Sequence, residues 1–483
     1  MRIVIIGNGV AGMEAALCVR EREPDWDITV VSEESDHFFS RTALMYVLAG
    51  QMSVGDIEPL ERDVYQRAKL VRVRARATGI DFDQHCVHLA GGLAPLPYDR
   101  LLLACGSRPR SGPWKGSSLR GVGHFVTMQD LEWLELEVHG GPSRGGAAPR
   151  ADEHLVRSTD DSPYWRREAA ASKKGRRARA GAVIGGGLIG IECVEAFLAA
   201  KMKVHFFVRE DWFWPIAVDA NESAWIARAL REHGVEVHLG AEIDELEGDD
   251  DGNITAVRTK QDARMEADVA VVAIGVVPNT DWLTTTPIER DTTDRRATAP
   301  RDAAQPGGKM LVRDRAGGII VDSGLQTSVK DVFAAGDCAS VLWFDGQRRP
   351  EQLWYTARDQ GRTAARRLCG DEASYVRGTF YNSAKLMDIE YTTAGLVNFE
   401  LEGEQNWYFE EKGRLQSTNR IVVRDDRVVG FNFLGRRWDH EVLIRWIHER
   451  RALGYVLDHL ADASFDTEFV PPLVVPRDAR TIA

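Results

Sequence analysis

The sequence predicts an α/β chain, two parallel-sheet units of strand–turn–helix build followed by a C-terminal α+β module. Three observations predict it. A glycine-rich turn, Gly7-Asn8-Gly9-Val10-Ala11-Gly12, follows the apolar run Arg2-Ile3-Val4-Ile5-Ile6. A second, Gly185-Gly186-Gly187-Leu188-Ile189-Gly190, follows Ala182-Val183-Ile184. Beyond Thr379 the pattern changes to alternating runs divided by turn residues, as an antiparallel sheet requires. Short β-branched runs bounded by glycine read as buried parallel strands.

The first loop opens into Met13-Glu14-Ala15-Ala16-Leu17, so strand, turn and helix come in the order a dinucleotide site needs. The second repeats that order, with Ile191-Glu192-Cys193-Val194-Glu195-Ala196-Phe197 continuing as a helix. Its free backbone N–H groups can meet a pyrophosphate. Glycine is needed because a Cβ would block the tight turn and the close approach of phosphate oxygens. The pair reads as two Rossmann-like dinucleotide-binding domains.

The strand Ile28-Thr29-Val30-Val31 is closed by Ser32-Glu33-Glu34. An acidic residue about 20 positions past the glycines is where an adenosine ribose is hydrogen-bonded, which makes Glu33 the favoured ribose ligand and Glu34 the fallback. Strands and helices alternate again between Val204 and Pro278, a complete second nucleotide domain. There Val204-His205-Phe206-Phe207-Val208 ends on Arg209. A carboxylate at that point would accept from a ribose 2′-hydroxyl and repel a 2′-phosphate. Arg209 does the reverse and favours NADPH over NADH, although Glu210 and Asp211 pull the other way.

Residues 391–397, 406–409, 419–423 and 428–434 read as antiparallel strands, with Asp425-Asp426 as a hairpin turn. Residues 438–450 read as an amphipathic helix. This module carries no phosphate loop, so packing, dimerisation or acceptor access is expected of it. His440 and His448 do not form His-Glu-x-x-His and are treated as surface or packing residues. Residues 140–179 and 290–309, rich in small and polar residues, are expected to be mobile insertions. The cluster Lys173, Lys174, Arg176, Arg177 and Arg179 reads as a solvated linker rather than a dock for an acidic partner.

At 483 residues the chain can hold about three domains. A net charge of −12 argues against a nucleic-acid or anionic-membrane surface. With no basic n-region, apolar h-region or membrane-length run, a cytoplasmic protein is expected. Cys18, Cys86, Cys105, Cys193, Cys338 and Cys369 show neither Cys-x-x-Cys nor Cys-x-x-x-x-Cys spacing, so neither the usual redox dithiol nor the usual zinc site is expected, and no metal.

Four further stretches carry a family resemblance. Leu103-Ala104-Cys105-Gly106-Ser107-Arg108-Pro109 resembles the strand-turn linking the two nucleotide domains of FAD-dependent pyridine nucleotide-disulfide oxidoreductases. Ala273-Ile274-Gly275-Val276-Val277-Pro278-Asn279 resembles the end of their NAD domain. Val332-Phe333-Ala334-Ala335-Gly336-Asp337-Cys338 resembles the motif whose aspartate, here Asp337, binds the ribityl and pyrophosphate part of FAD. Gln352-Leu353-Trp354-Tyr355-Thr356-Ala357 with Gln360-Gly361 resembles the helix start beside the flavin pyrimidine. The implied fold is glutathione-reductase-like, with FAD bound by residues 1–120 and 317–375, NAD(P) by 121–316, and a C-terminal domain at 376–483.

Phe39-Ser40-Arg41 after Ser32-Glu33-Glu34 resembles the branch of ferredoxin and rubredoxin reductases, apoptosis-inducing factor and nitrite reductase flavin domains. That implies an Arg41 contact to the FAD phosphates. Thr42 stands where proline is usual, and Tyr46 where a lysine near the flavin is common. NADH oxidases and peroxidases place a reactive cysteine where this chain has Arg41, so a sulfenic acid route is not expected.

The resemblance implies FAD contacts at Gly7, Gly9, Val10, Ala11, Gly12, Glu33, Glu34, Arg41, Ala77, Gly106, Asp337, Leu353 and Trp354. For NAD(P)H it implies Gly185, Gly187, Leu188, Ile189, Gly190, Arg209 and Gly275. Val208-Arg209-Glu210-Asp211 resembles the NADPH-binding stretch of glutathione reductase. Glu192 resembles the family glutamate near the nicotinamide, and Tyr381 an aromatic covering the isoalloxazine. The implied chemistry is hydride transfer from NAD(P)H to flavin N5, then electron transfer to a small oxidant or a ferredoxin- or rubredoxin-type protein, without a redox-active disulfide. The alternative is a flavoprotein interaction or signalling subunit whose redox state controls partner binding.

Overall fold

Arg2–Ile6 is the centre of a six-stranded, wholly parallel sheet whose order is Leu155–Arg157, Leu70–Arg74, Asp27–Ser32, Arg2–Ile6, Arg100–Leu103 and Val332–Ala334. Its isoleucines and valine are buried because both faces of the sheet are covered. The helix Val10–Arg22 follows the first strand and ends where Pro24 can no longer extend it. Arg20 in its last turn donates to the carbonyls of Glu23, Pro24, Trp26, Ala68 and Lys69, tying the helix end to the loop that follows it and to the turn before Leu70–Arg74.

The computed structural model describes residues 1–140, 155–157, 179–285, 288–290, 310–343, 346–412, 416–465 and 467–480. The two expected insertions fall mostly outside the described residues, with Leu155–Arg157 described as the strand beside Leu70–Arg74.

The chain forms two compact units. The first comprises Met1–Pro113, Ser117–Ala178 and Ile274–Arg377. It includes the helix Met128–His139 and residues 274–316, grouped from sequence with the second nucleotide domain. The helix is held there because Gln129 donates to the Glu34 carbonyl at 2.9 Å and the His139 ring meets the Leu48 carbonyl at 2.8 Å. Within this unit Ser107–Pro109 and Val276–Pro278, two of the family-like stretches, pair as antiparallel strands.

The second unit comprises Trp114–Gly116, Arg179–Ala273 and Gly378–Ala483. Its nucleotide-type sheet runs Glu236–His238, Lys203–Phe207, Ala180–Ile184, Val269–Val272, all parallel. Its C-terminal sheet is antiparallel in the order Tyr381–Leu386, Ile389–Gly395, Arg427–Leu434, Ser417–Arg424, Glu404–Glu411. Asp425 and Asp426 both take positive φ, 50° and 56°, as a two-residue hairpin turn demands. The helix is shorter than the sequence pattern, His440–His448, and its Leu443 and Trp446 join Trp407, Phe431 and Phe433 in one core. Glu222, Arg420 and Asn432 tie this sheet to the helix Ala220–Glu232: Arg420 Nη2 lies 3.0 Å from Glu222, and Asn432 donates to both its carboxylate oxygens at 3.0 Å. Among the described residues no helix is long and apolar enough to cross a membrane.

Candidate dinucleotide sites

The two glycine loops correspond at their first, third and sixth positions. Gly7 and Gly185 take φ of +122° and +126°, a region L side chains rarely adopt. A Cβ on Gly12 would stand 2.0 Å from the Gly7 carbonyl oxygen, and one on Gly190 would stand 2.1 Å from that of Gly185. The middle glycines differ in kind: a Cβ on Gly9 or Gly187 would meet nothing within 4 Å. Outer glycines are therefore required by the turn itself, and the middle ones leave an open cradle in front of it. Gly9 and Gly187 are also the N-caps of Val10–Arg22 and Leu188–Ala199, with no side chain capping either helix and no acidic residue in either first turn. The first-turn N–H groups, including those near Val10, Ala11, Leu188 and Ile189, thus lack a side-chain cap, the arrangement that suits an anionic ligand.

Around the first cradle three more segments converge at the carboxyl ends of parallel strands, where ligands bind in open α/β sheets. A Cβ on Gly7 would also strike the Ala104 carbonyl oxygen at 2.0 Å, one on Gly361 would lie 2.6 Å from the Ala11 carbonyl oxygen, and one on Gly336 would lie 3.1 Å from the Ala11 Cβ. Close approach thus locks the phosphate helix, the Gly106 turn, the Asp337 turn and the helix Trp354–Leu368 together. Gln360 Oε1 accepts from the Gly336 N–H at 2.8 Å, and Ser107 Oγ donates to Asp337 Oδ2 at 2.7 Å. Burial pushes the Asp337 carboxyl above its ordinary range, opposed by the Ser107 hydroxyl and the Arg41 charge. Leu353 is the extended N-cap of Trp354–Leu368 and supplies no side-chain cap. Ala77 is buried at the start of the strand Ala77–Asp81.

Arg41 is placed differently from a simple phosphate ligand. Its guanidinium donates to both oxygens of Glu34, at 2.8 and 2.7 Å, and to the Val126 carbonyl, while remaining 41% exposed. Glu34 Oε1 also accepts from the Met128 N–H at 3.1 Å. Glu34 therefore anchors Arg41 and a helix start, and Glu33 directly follows the strand Asp27–Ser32. Cys105 and Cys338, unremarkable by spacing, are brought together by the pairing of Arg100–Leu103 with Val332–Ala334: Cys338 Sγ lies 3.3 and 3.4 Å from the Leu103 and Ala335 carbonyls, and the proximity of the two thiols lowers the Cys105 pKa and raises that of Cys338.

In the second unit Arg209 follows Lys203–Phe207, 75% exposed, with Nη2 2.6 Å from Glu210 Oε1. Burial, reinforced by the like charge of Glu195, pushes Glu192 up to about 8. Tyr381 lies in the C-terminal sheet with its ring 5.3 Å from that of His440. Gly275, with φ +98°, belongs to the first unit, where its carbonyl accepts from the Arg110 N–H at 3.0 Å. Ser107 and Gln360 lie inside the family-like motifs, but their bracing contacts are made across the fold and carry no local sequence signal. Tyr65, whose hydroxyl donates to Asn8 Oδ1 at 2.9 Å beneath the first loop, had no sequence signal.

Residues 1–361 match the model of the family described as pyridine nucleotide-disulphide oxidoreductase. The ferredoxin–NAD(+) reductase component of the p-cumate 2,3-dioxygenase system of Pseudomonas putida is 26% identical over 458 residues, covering 94% of both chains. Nitrite reductase [NAD(P)H] of Bacillus subtilis (strain 168) is 25% identical over 439 residues, 90% of this chain, which spans 45% of that relative's length. The covalent putidaredoxin reductase–putidaredoxin complex shares the fold, with a TM-score of 0.71 at 22% identity over 93% of both chains.

Proposed function

The chain belongs to the pyridine nucleotide-disulphide oxidoreductase family of FAD-dependent, NAD(P)H-using enzymes, and on that premise we propose that it reduces a ferredoxin-type redox protein at the expense of NADPH. The observation that carries the choice of acceptor is the near end-to-end match to a ferredoxin reductase. Bound FAD would take two electrons from the nicotinamide and release them to the acceptor.

This chain's residues supply binding and orientation. Gly7, Gly9 and Gly12 with the start of Val10–Arg22 would hold the FAD pyrophosphate, Glu33 the adenosine ribose, and Asp337, oriented by Ser107, the ribityl chain. Arg41, anchored by Glu34, would add positive charge on the phosphate side. The uncapped start of Trp354–Leu368 would favour negative charge at the pyrimidine end of the flavin. Gly185, Gly187 and Gly190 would hold the nicotinamide dinucleotide. Glu192, with its pKa near 8, keeps a proton on its carboxyl at neutral pH and can donate from it. The exposed Arg209–Glu210 pair is worth only about 0.2–1 kcal/mol, so a 2′-phosphate can displace Glu210 from the guanidinium.

FAD-loaded protein mixed with NADPH or NADH in a stopped-flow instrument, then with a [2Fe–2S] ferredoxin or oxygen, tests the proposal. The expected record is faster bleaching by NADPH and reoxidation by ferredoxin that outpaces oxygen. Bleaching too slow for turnover, coupled to a change in assembly, would instead favour an interaction subunit, and reoxidation by oxygen alone would overturn the acceptor.

A further inference from the structure

We infer that His205, Glu236 and His238 form a binding site for a divalent transition-metal ion of the zinc class, with water completing the coordination. All three lie in the nucleotide-type sheet of the second unit. In the parallel register His205 pairs with Glu236 and Phe207 with His238. Glu236 and His238, two apart on one strand, therefore share a face, and His205 stands beside them on the same face.

Their donor atoms are already gathered. His205 Nδ1 is 3.1 Å from Glu236 Oε2 and 3.3 Å from His238 Nε2, and all three atoms lie within 4.8 Å of one another. Metal–nitrogen and metal–oxygen bonds near 2.0–2.2 Å place tetrahedral ligand atoms about 3.3 Å apart, so little rearrangement is needed. His205 Nδ1 faces both Glu236 Oε2 and His238 Nε2 at once, and a cation between the three would take one lone pair from each.

The surroundings resemble those of a ligand set. The His205 side chain is 3% exposed and held in place, whereas Glu236 is 47% exposed and leaves an approach for ion and water. Lys203 Nζ binds the other Glu236 oxygen at 2.9 Å and so orients the carboxylate. The Phe207 ring stacks on His238 at 4.8 Å and 17° and limits its rotation. Lys203 and the nearby Arg231 charge oppose a dication, so micromolar affinity is expected rather than that of a structural cysteine site. Imidazole and carboxylate donors suit zinc, and cobalt(II) in the same geometry provides a visible spectrum.

The test is calorimetric titration of the FAD-loaded protein with Zn²⁺, and optical titration with Co²⁺. One equivalent should bind, with d–d absorption of a low-coordinate cobalt centre and a rise in Tm. Glu236→Gln and His238→Gln should each weaken binding at least about tenfold, the loss of one good ligand. His88→Gln, at an exposed histidine of the first unit, should change nothing. Far-UV circular dichroism and bound FAD should remain equal in all variants, which shows that both units fold. Absence of micromolar binding, or binding indifferent to both Glu236→Gln and His238→Gln, would overturn the site.

Discussion

The two glycine loops share one backbone and differ in what stands beside it. Gly7 and Gly185, Gly9 and Gly187, and Gly12 and Gly190 correspond in φ, in open space and in close contact. Beyond the loops the likeness ends. The first is followed by Glu33 and an Arg41–Glu34 pair and is braced by Gly336, Gln360 and Gly361. The second is followed by an exposed Arg209 and by Glu192 with a raised pKa. On the proposed assignment phosphate binding would be a repeated solution, and the identity of each dinucleotide would be decided by the residues at the end of the next strand and across the cradle.

The strongest test of the likeness is the pair Gly12→Ala and Gly190→Ala. Each methyl would strike a carbonyl oxygen near 2 Å, so each should destabilise its unit by about 3 kcal/mol in denaturant unfolding. An effect at one loop alone would break the equivalence.

Next is the difference at the ribose. Arg209→Ala should lower the preference for NADPH over NADH by about tenfold, the worth of a charge-assisted contact. Flavin bleaching rates at limiting nucleotide measure it, and an unchanged ratio would assign Arg209 to neutralising Glu210 only.

Glu192 sharpens the comparison through pH. Its carboxyl ionises near 4.3 when unfolded and about 8 when folded. Between those values the folded state binds more protons, so wild-type stability from this group is complete below pH 4.3 and is lost as pH rises towards 8. Glu192→Gln escapes that loss. Its stability relative to wild type should therefore grow between pH 5 and pH 8, by on the order of 2 kcal/mol. A difference independent of pH would refute the buried, neutral carboxyl.

The smallest effect is expected at the thiols. Cys105→Ser with Cys338→Ala should change flavin bleaching by less than about twofold, since electrons need no dithiol relay on this account. A thiolate-to-flavin charge-transfer band that disappears in the double variant would show that the contact between these thiols participates.

Legibility followed the range of the interactions. Both strand–loop–helix units could be read because each is local: β-branched runs, fixed glycine spacing, then a helix. Asp337 was legible only through resemblance, since its partner Ser107 comes from a distant strand. The contacts Cys105–Cys338 and His205–His238 were invisible because strand order, not spacing, creates them. The strand Tyr381–Leu386 was missed because its sequence Tyr-Asn-Ser-Ala-Lys-Leu has no continuous apolar run and lies at a sheet edge.

On the proposed assignment the first cradle takes FAD and the second the nicotinamide dinucleotide. Gly9→Ala and Gly187→Ala separate the two, because the added methyl meets no protein atom within 4 Å in either case and both backbones are extended. Flavin content and NADPH bleaching should be measured together on the two folded variants. Gly9→Ala should lose FAD, whereas Gly187→Ala should stay yellow and need about tenfold more NADPH to bleach. Full flavin occupancy in Gly9→Ala, or wild-type NADPH dependence in Gly187→Ala, would contradict it.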